Sequence, residues 1–480
     1  MGIMDSARAK AFAAIGASAA MASIAMVAPG SALAAEGVCH NPLNGTGSSL
    51  QKVQQETWTT EAGKETKLHG ECTAKIEIKY APEGSGAGLG EFGMEAGFKL
   101  EPSLGIGKKL DGFIGTDDPP TKAQLVQVTL AVAEHAGSEA VVIAPLSAPI
   151  AMIMHLPAGC ELQTGAEPAV TQASLEEFWR HKGTSWETML KSGSAAIKLN
   201  GAASCTSATE ASKNIDEVRS DKSGTSYAFK QWMCQIAGEG KNEWDKTGEK
   251  CEQDSGGKDE YINDSKEWPL VEIEKSVATE CIETLNPCSE EHMMGTLRLK
   301  NEKGPGEANA VKETPDSVGY ANAADAAGEG FEAGGKATLS IFWVKVENET
   351  ATEKFADPLT STGAGNCTKA NILTTAQETA AKKNEWFTVH LAAGKKVIEG
   401  YPACTLTYDV GWKTYTTAEL VTAPYYESKG LAEELANATK AYFLWELGSG
   451  AKEGQLLIQK FYAEPPESVL EISREDAALI

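Results

Sequence analysis

The sequence predicts an α/β chain of more than one domain, and three observations carry that expectation. The chain has 480 residues, more than a single hydrophobic core usually serves. Short apolar runs recur along it, each ending in a turn of glycine and hydroxyl residues ahead of a helix-forming stretch. The most apolar run beyond the N-terminus, Val141 to Ala158, holds Pro145, Pro149 and Pro157. Prolines so placed exclude a membrane helix and leave buried strands.

Residues 1–35 have the form of an export signal. Arg8 and Lys10 give the charged start, Ala11 to Ala28 is uncharged and apolar, and Ala32-Leu33-Ala34 supplies small residues for cleavage near Ala34–Ala35. The apolar run is long for a signal core, so an uncleaved anchor is the alternative. All ten cysteines lie beyond this segment, and an even number in an exported chain reads as disulfides. Pairing of sequence neighbours is expected: Cys39–Cys72, Cys160–Cys205, Cys234–Cys251, Cys281–Cys288 and Cys367–Cys404. No Cys-x-x-Cys or His-Glu-x-x-His occurs, and the seven histidines form no cluster with cysteine, so neither metal nor cofactor is expected.

The formal charge of −24 argues against a nucleic-acid partner, because phosphate backbones are met by basic surfaces. A small anion is a different case. A few local donors can hold it against the global field, with moderate salt helping.

Taken in order, Gly45-Thr46-Gly47-Ser48-Ser49-Leu50 opens a run with helical spacing through Val53 and Trp58. A glycine turn with hydroxyls at a helix start suits an anion. Leu50 stands where a dinucleotide fingerprint needs its third glycine, and no phosphate-binding Gly-x-x-x-x-Gly-Lys-[Ser/Thr] occurs. Cys72 to Tyr80 alternates as a strand and runs into Glu83-Gly84-Ser85-Gly86-Ala87-Gly88. Asp111 to Thr116 is a short apolar strand ending in Asp117-Asp118-Pro119-Pro120. Leu175, Phe178, Trp179 and Trp186 mark a packing helix and turn.

Val218-Arg219-Ser220-Asp221-Lys222-Ser223-Gly224-Thr225 then combines an apolar lead-in, a fixed cation and a hydroxyl turn before the helical run from Tyr227 to Met233. Residues 235–300 are polar and charged, a length that disulfides would have to hold. Thr338 to Val346 reads as a strand. Lys429 to Leu447, Glu453 to Phe461 and Ser468 to Leu479 read as helices, stopped by Gly448 and by Pro465-Pro466.

The order Arg219-x-Asp221-x-Ser223-Gly224-Thr225-Ser226 resembles the phosphate-gripping loop of the substrate-binding proteins that serve phosphate ABC importers. Gly45 to Leu50 is similar to the turn that opens those proteins, Ser85 matches their Gly-Ser-Gly-x-Gly serine, and Asp111 to Thr121 resembles their Asp-bearing segment. Pro149-Ile150-Ala151 falls near their hinge and Tyr401 to Val410 on their returning strand. The resemblance runs from about residue 38 to the end, with gaps near 52–72, 235–265 and 347–397.

That resemblance implies a type II periplasmic-binding-protein fold of two α/β domains with two hinge crossings. Lobe I would comprise 36–150 and 402–480, and lobe II 151–401 with the cysteine-containing insertion. Inorganic phosphate would sit between them. Ser49, the Leu50 amide, Ser85 and Asp117 would hold it from one side, and Arg219, Ser223, Gly224 and Thr225 from the other. The implied partners are the ligand and the membrane permease subunits of an ABC transporter, and the implied protein is a monomeric binder and not an enzyme.

Two departures stand out. Asp118 replaces a small residue beside Asp117, and Glu36-Gly37-Val38 ahead of Cys39 is not the lipid-attachment pattern. A binder for another oxyanion or a phosphorylated compound, and an exported phosphatase, are the alternative functions; the latter would need a nucleophile and base, and only His40 lies near the turns in sequence.

Overall fold

A computed structural model describes residues 37–94, 110–122, 124–125, 139–162, 165–179, 186–192, 195–196, 199–201, 215–219, 221–237, 251–253, 259–261, 299–333, 340–348, 355–360, 364–370, 373–387, 389, 400–416, 420–421, 426, 428–448 and 453–480. The export segment 1–35, Cys205, Cys281, Cys288 and most of 235–300 lie outside these residues.

Two long strands organise the rest. Ala140–His155 (β4 below) is buried along all but its last residue, as its unbroken apolar composition requires. It pairs antiparallel with Cys404–Trp412 (β9), also fully buried. On one flank the order continues through β3 (Phe113–Thr116), β1 (Leu43–Gly47) and β2 (Ile78–Ala81). On the other it continues through β7 (Ser317–Asn322), β5 (Ile215–Arg219) and β6 (Leu299–Asn301). A short strand, β8 (Ile341–Trp343), also pairs with β4. Within each flank β3, β1 and β2 run parallel, as do β7, β5 and β6.

The core divides along these same strands. Leu146 and Ala148 of β4 and Leu406, Tyr408 and Val410 of β9 belong to one apolar cluster, with Leu43, Trp58, Phe113 and Tyr442. From Ile150 on, β4 serves other packing: Ile150, Met152 and Met154 join Phe229, Trp232 and Tyr320. Ala151 and Ile153 face Ala308, Val311 and Phe331 in a third cluster on the opposite face, the period-2 alternation of a strand covered on both sides. The segment Thr375–Ala381 with Trp386 and Val389 packs with the first cluster, although it falls within the 151–401 span that the resemblance places in the second lobe.

Helix α1 (Lys52–Ala62) and α6 (Lys429–Glu446) cover the first cluster. Phe113 meets Tyr442 and Phe443 of α6 at 5.2 and 5.9 Å between ring centroids, and Phe92 stacks on Trp412. Between them in chain order come α2 (Ser85–Glu91), α3 (Gly224–Ala237), α4 (Lys303–Glu313) and α5 (Ala323–Gly328). The closing helix α7 is Glu467–Ala477.

Cys39–Cys72 and Cys367–Cys404 are bonded as expected. The loop closed by the first pair, with a sequence separation of 33, restrains the unfolded chain by about 3–4 kcal/mol in the entropy picture. Cys160 is also disulfide-bonded; its expected partner lies outside the described residues. No helix of the described residues is long and apolar enough to cross a membrane.

Two expected elements are shorter than the pattern implies. The strand expected from Cys72 starts only at Ile78, because its partner β1 begins at Leu43, opposite Ile78. Cys72 is instead held by its disulfide and by an isolated bridge to Gly37. The helix expected over Glu453–Phe461 is a 3-10 turn at Gly454–Leu457. Tertiary bonds take over there: Gln455 donates to the Pro145 and Glu446 carbonyls, and the Gln459 amide donates to Gln54.

Candidate functional site

Parallel strands release their backbones at one end of the sheet, and four of them, β1, β2, β3 and β5, end in turns that bond to one another. β1 ends at Gly47, whose φ of +135° L side chains rarely adopt. A Cβ there would stand 2.0 Å from the Gly115 carbonyl oxygen of β3. The reversal lets the Ser48 amide donate to that same carbonyl at 2.8 Å and the Gly84 amide donate to the Gly47 carbonyl at 2.7 Å. Three turns from three strands are thereby locked together before any side chain is considered.

Asp117, one residue past β3, is the centre of the site. Its carboxylate accepts from Ser48 Oγ at 2.5 Å and from Thr225 Oγ1 at 3.0 Å. Ser85 Oγ lies 3.5 Å from the same group and accepts from the Asp117 amide at 3.2 Å. Burial raises the Asp117 carboxyl to about 6, while the Ser48 and Thr225 hydroxyls and the Arg219 charge pull it back down.

Arg219 ends β5 and is 2 % exposed. Its fork is held by Asp221, which accepts from Nε at 2.7 Å and from Nη2 at 2.5 Å. Nη2 also reaches Ser49 Oγ at 3.4 Å. Burial opposes the guanidinium charge, but the Asp221 carboxylate outweighs it and keeps Arg219 above its ordinary value. Asp221 in turn, though burial works the other way, is held below the ordinary carboxylate range by Arg219. The Lys303 amide fixes it at 2.9 Å.

Ser223 caps α3: its hydroxyl accepts from the Ser226 amide at 3.1 Å. Gly224 is required by close approach. A Cβ there would lie 2.5 Å from Ser85 Oγ and 2.9 Å from Asp117 Cβ, so any side chain would push the two halves of the site apart. The Gly86 amide donates to the Lys222 carbonyl at 3.1 Å, a main-chain bond that joins the same two sides, and Lys303 pairs with Glu83 at 3.1 Å.

All eight residues singled out in the sequence come to this one place. Ser49, Leu50, Ser85 and Asp117 lie on the turns after β1, β2 and β3, and Arg219, Ser223, Gly224 and Thr225 lie between β5 and α3. Ser49 is the most exposed of their side chains at 4 %. Of the two adjacent carboxylates it is Asp117 that meets the hydroxyls. Asp118 instead exchanges main-chain bonds with the Thr116 hydroxyl.

Sequence reasoning missed Ser48, Glu307 and Asp325. Glu307 and Asp325 sit on α4 and α5, each raised chiefly by burial and pulled back by the Arg219 charge. Asp325 is far along the chain from the four turns, and Glu307, though it follows Gly304-Pro305-Gly306, is a lone carboxylate that nothing in its spelling marks. For Ser48 the signal was present, as one of two serines after Gly47, but only the backbone reversal decides which hydroxyl faces Asp117.

The arrangement offers a desolvated cation held by Asp221, several hydroxyls, helix N-termini and, ringed by those hydroxyls, the Asp117 carboxylate. It suits a small oxyanion. Among the described residues no group of three His, Cys, Asp or Glu is placed to hold a metal ion.

The fold defines a class. The chain has the two-lobed α/β architecture of the periplasmic binding proteins, as comparison with solved structures shows. A structure of a DING protein matches with a TM-score of 0.55 at 13% identity, over 90% of this chain and 93% of that one. A high-affinity periplasmic phosphate-binding protein, solved with phosphate bound, matches with a TM-score of 0.52 at 14% identity, over 90% and 93%. A phosphate-binding protein from Stenotrophomonas maltophilia matches with 0.52 at 15% identity, over 91% and 94%. The latter two are described as binding proteins. No protein-family model matches the sequence, and no curated protein matches it.

Proposed function

We propose that the chain is an exported binding protein for inorganic phosphate that delivers its ligand to the permease subunits of an ABC importer. One observation carries the reading: a buried, permanently charged guanidinium that reaches Ser49 and a carboxylate ringed by the Ser48 and Thr225 hydroxyls lie on adjoining turns. Arg219 supplies attraction for an oxyanion, while Asp117 can only accept. Phosphate near neutral pH still has a hydrogen to donate to Asp117, and sulfate has none. That the solved structures sharing this fold include phosphate binders supports the same ligand.

In this reading lobe I is 36–150 with 402–480 and lobe II is 151–401. Ser49, the Leu50 amide and Ser85 hold the ligand beside Asp117, and the Gly224 amide and Thr225 hold it beside Arg219. Ser223 donates its hydroxyl hydrogen while its oxygen keeps the helix cap. Because the contacts come from both lobes, the ligand stabilises the closed state. Residues 1–35 direct export, for which the disulfides are suited, and the mature chain acts as a monomer without cofactor.

Calorimetric titration of the mature protein with phosphate and with sulfate at pH 7.5 tests the reading. One phosphate per chain with sulfate silent is the expected result. Equal binding of both, or of neither, refutes it, and turnover of a generic phosphate ester would replace it with a phosphatase.

A further inference from the structure

Ser48 Oγ takes part in two bonds. It donates to Asp117 Oδ1 at 2.5 Å and accepts from the Leu50 amide at 3.1 Å. In the phosphate reading, on which the role of Ser48 rests, the protonated oxygen of the ligand donates to Asp117 and accepts from the Leu50 amide. A serine hydroxyl and a P–OH group have the same donor and acceptor capacity at one oxygen. We infer that the Ser48 hydroxyl is a built-in competitor of the ligand, occupying the donor and acceptor pair that the protonated phosphate oxygen uses.

The backbone of Ser48 is pinned, so only its side chain can yield. Its amide donates to Gly115 at 2.8 Å, and its carbonyl accepts from Tyr80 Oη at 3.0 Å. The residue is fully buried. Rotation of χ1 to another staggered position is the one way to release both partners. Thr225 does not compete in the same way, because it donates to the other carboxylate oxygen, Oδ2, at 3.0 Å.

Phosphate binding therefore includes breaking a charge-assisted hydrogen bond within the protein. Bonds of that kind correspond to roughly a tenfold to hundredfold effect on an equilibrium. Ser48 lowers affinity by that factor and gives the carboxylate a partner whenever the ligand leaves, which favours release at the membrane.

The experiment titrates inorganic phosphate into phosphate-stripped wild type, Ser48→Ala and Ser48→Cys. Both variants should bind about tenfold more tightly or better. The cysteine fills the same space with a weak donor and weak acceptor, so tighter binding by both excludes a simple cavity effect. Without phosphate both should melt below wild type, and with saturating phosphate they should reach or pass it. Unchanged or weaker binding by the two variants, with wild type binding normally, overturns the inference while leaving phosphate as the ligand. If all three melt cooperatively and ignore phosphate, the ligand itself is wrong and the inference falls with it. Should the alanine variant fail to fold, the cysteine variant decides alone.

Discussion

Replacing Asp117 by asparagine keeps the shape of the side chain and turns one acceptor oxygen into a donor. In the wild type the carboxylate is 1 % exposed and titrates at about 6, so at pH 7.5 it is ionised. A sulfate oxygen placed against it brings a second acceptor with no hydrogen between them. A buried mismatch of this type rejects the wrong ligand by roughly 10⁴–10⁵, or about 5.5–7 kcal/mol. The asparagine amide can donate to that oxygen, and the exclusion should shrink to about a hundredfold or less while phosphate still binds. Calorimetry with sulfate on wild type, Asp117→Asn and Asp118→Asn at pH 7.5 reads the difference directly. Acidification offers an internal control, because below about pH 6 the wild-type carboxyl gains its own proton and should begin to admit sulfate. If Asp118→Asn opens the site and Asp117→Asn does not, the acceptor is the neighbouring residue; if neither does, proton reading is not how the site selects.

Arg219→Ala should weaken phosphate binding at least about tenfold through the loss of charge-assisted bonds, and should lower the melting temperature as well, since Asp221 loses both guanidinium bonds; an unchanged titration would reduce Arg219 to a structural partner of Asp221. Gly224→Ala places a methyl group against Ser85 and Asp117 and should leave cooperative melting intact while abolishing tight phosphate binding, with normal affinity counting against direct approach of the two turns. Asp117 is raised to about 6, and Asp325 and Asp476 to about 7, each chiefly by burial. From pH 4 to 7 the folded chain thus holds protons that the unfolded chain, with ordinary carboxylates, has released, so stability falls as pH rises. Melting should be higher at pH 5 than at pH 8, and Asp325→Asn should flatten that slope; a steepened or unaltered slope would remove Asp325 from the account.

How much the sequence disclosed depended on whether a feature was local. Glycine turns are written in consecutive residues, so the turns at Gly47, Gly84 and Gly224 could be placed from composition alone, and the order in which they follow strands pointed to an α/β sheet. The choice of Asp117 over Asp118 came from register within the resemblance; the Asp117 carboxylate meets the Ser48 and Thr225 hydroxyls. Asp221 could be quoted but not interpreted, because a carboxylate two residues past an arginine has the same spelling whether or not it grips the guanidinium. Propensity failed where tertiary bonds intervened. Gly454 packs against the Glu446 backbone, and Gln455 spends its amide on Pro145 and Glu446, so a run with helical residues bends away after one tight turn. The strand expected from Cys72 alternates correctly, yet a strand also needs a neighbour, and the first six residues have no ladder partner on β1.

In the proposed two-lobe reading, the strands that carry the chain from one lobe to the other are not linkers. Both are interior strands of the sheet, laddered to each other from Cys404 opposite Pro149 through Trp412 opposite Ala140, with Ala463 bridged to Ser147 alongside. In mechanical language the hinge is a leaf spring instead of a pin. The proposed opening would flex a hydrogen-bonded ribbon, with resistance that grows with angle and an elastic return. The ribbon is interrupted in more than one place: Pro145 and Pro149 on β4 have no N–H to contribute, and the ladder shifts at a bulge between Thr407 and Asp409, while Ile150 donates to the Ala403 carbonyl at 2.8 Å. Curvature should therefore spread over these interruptions instead of gathering at one of them.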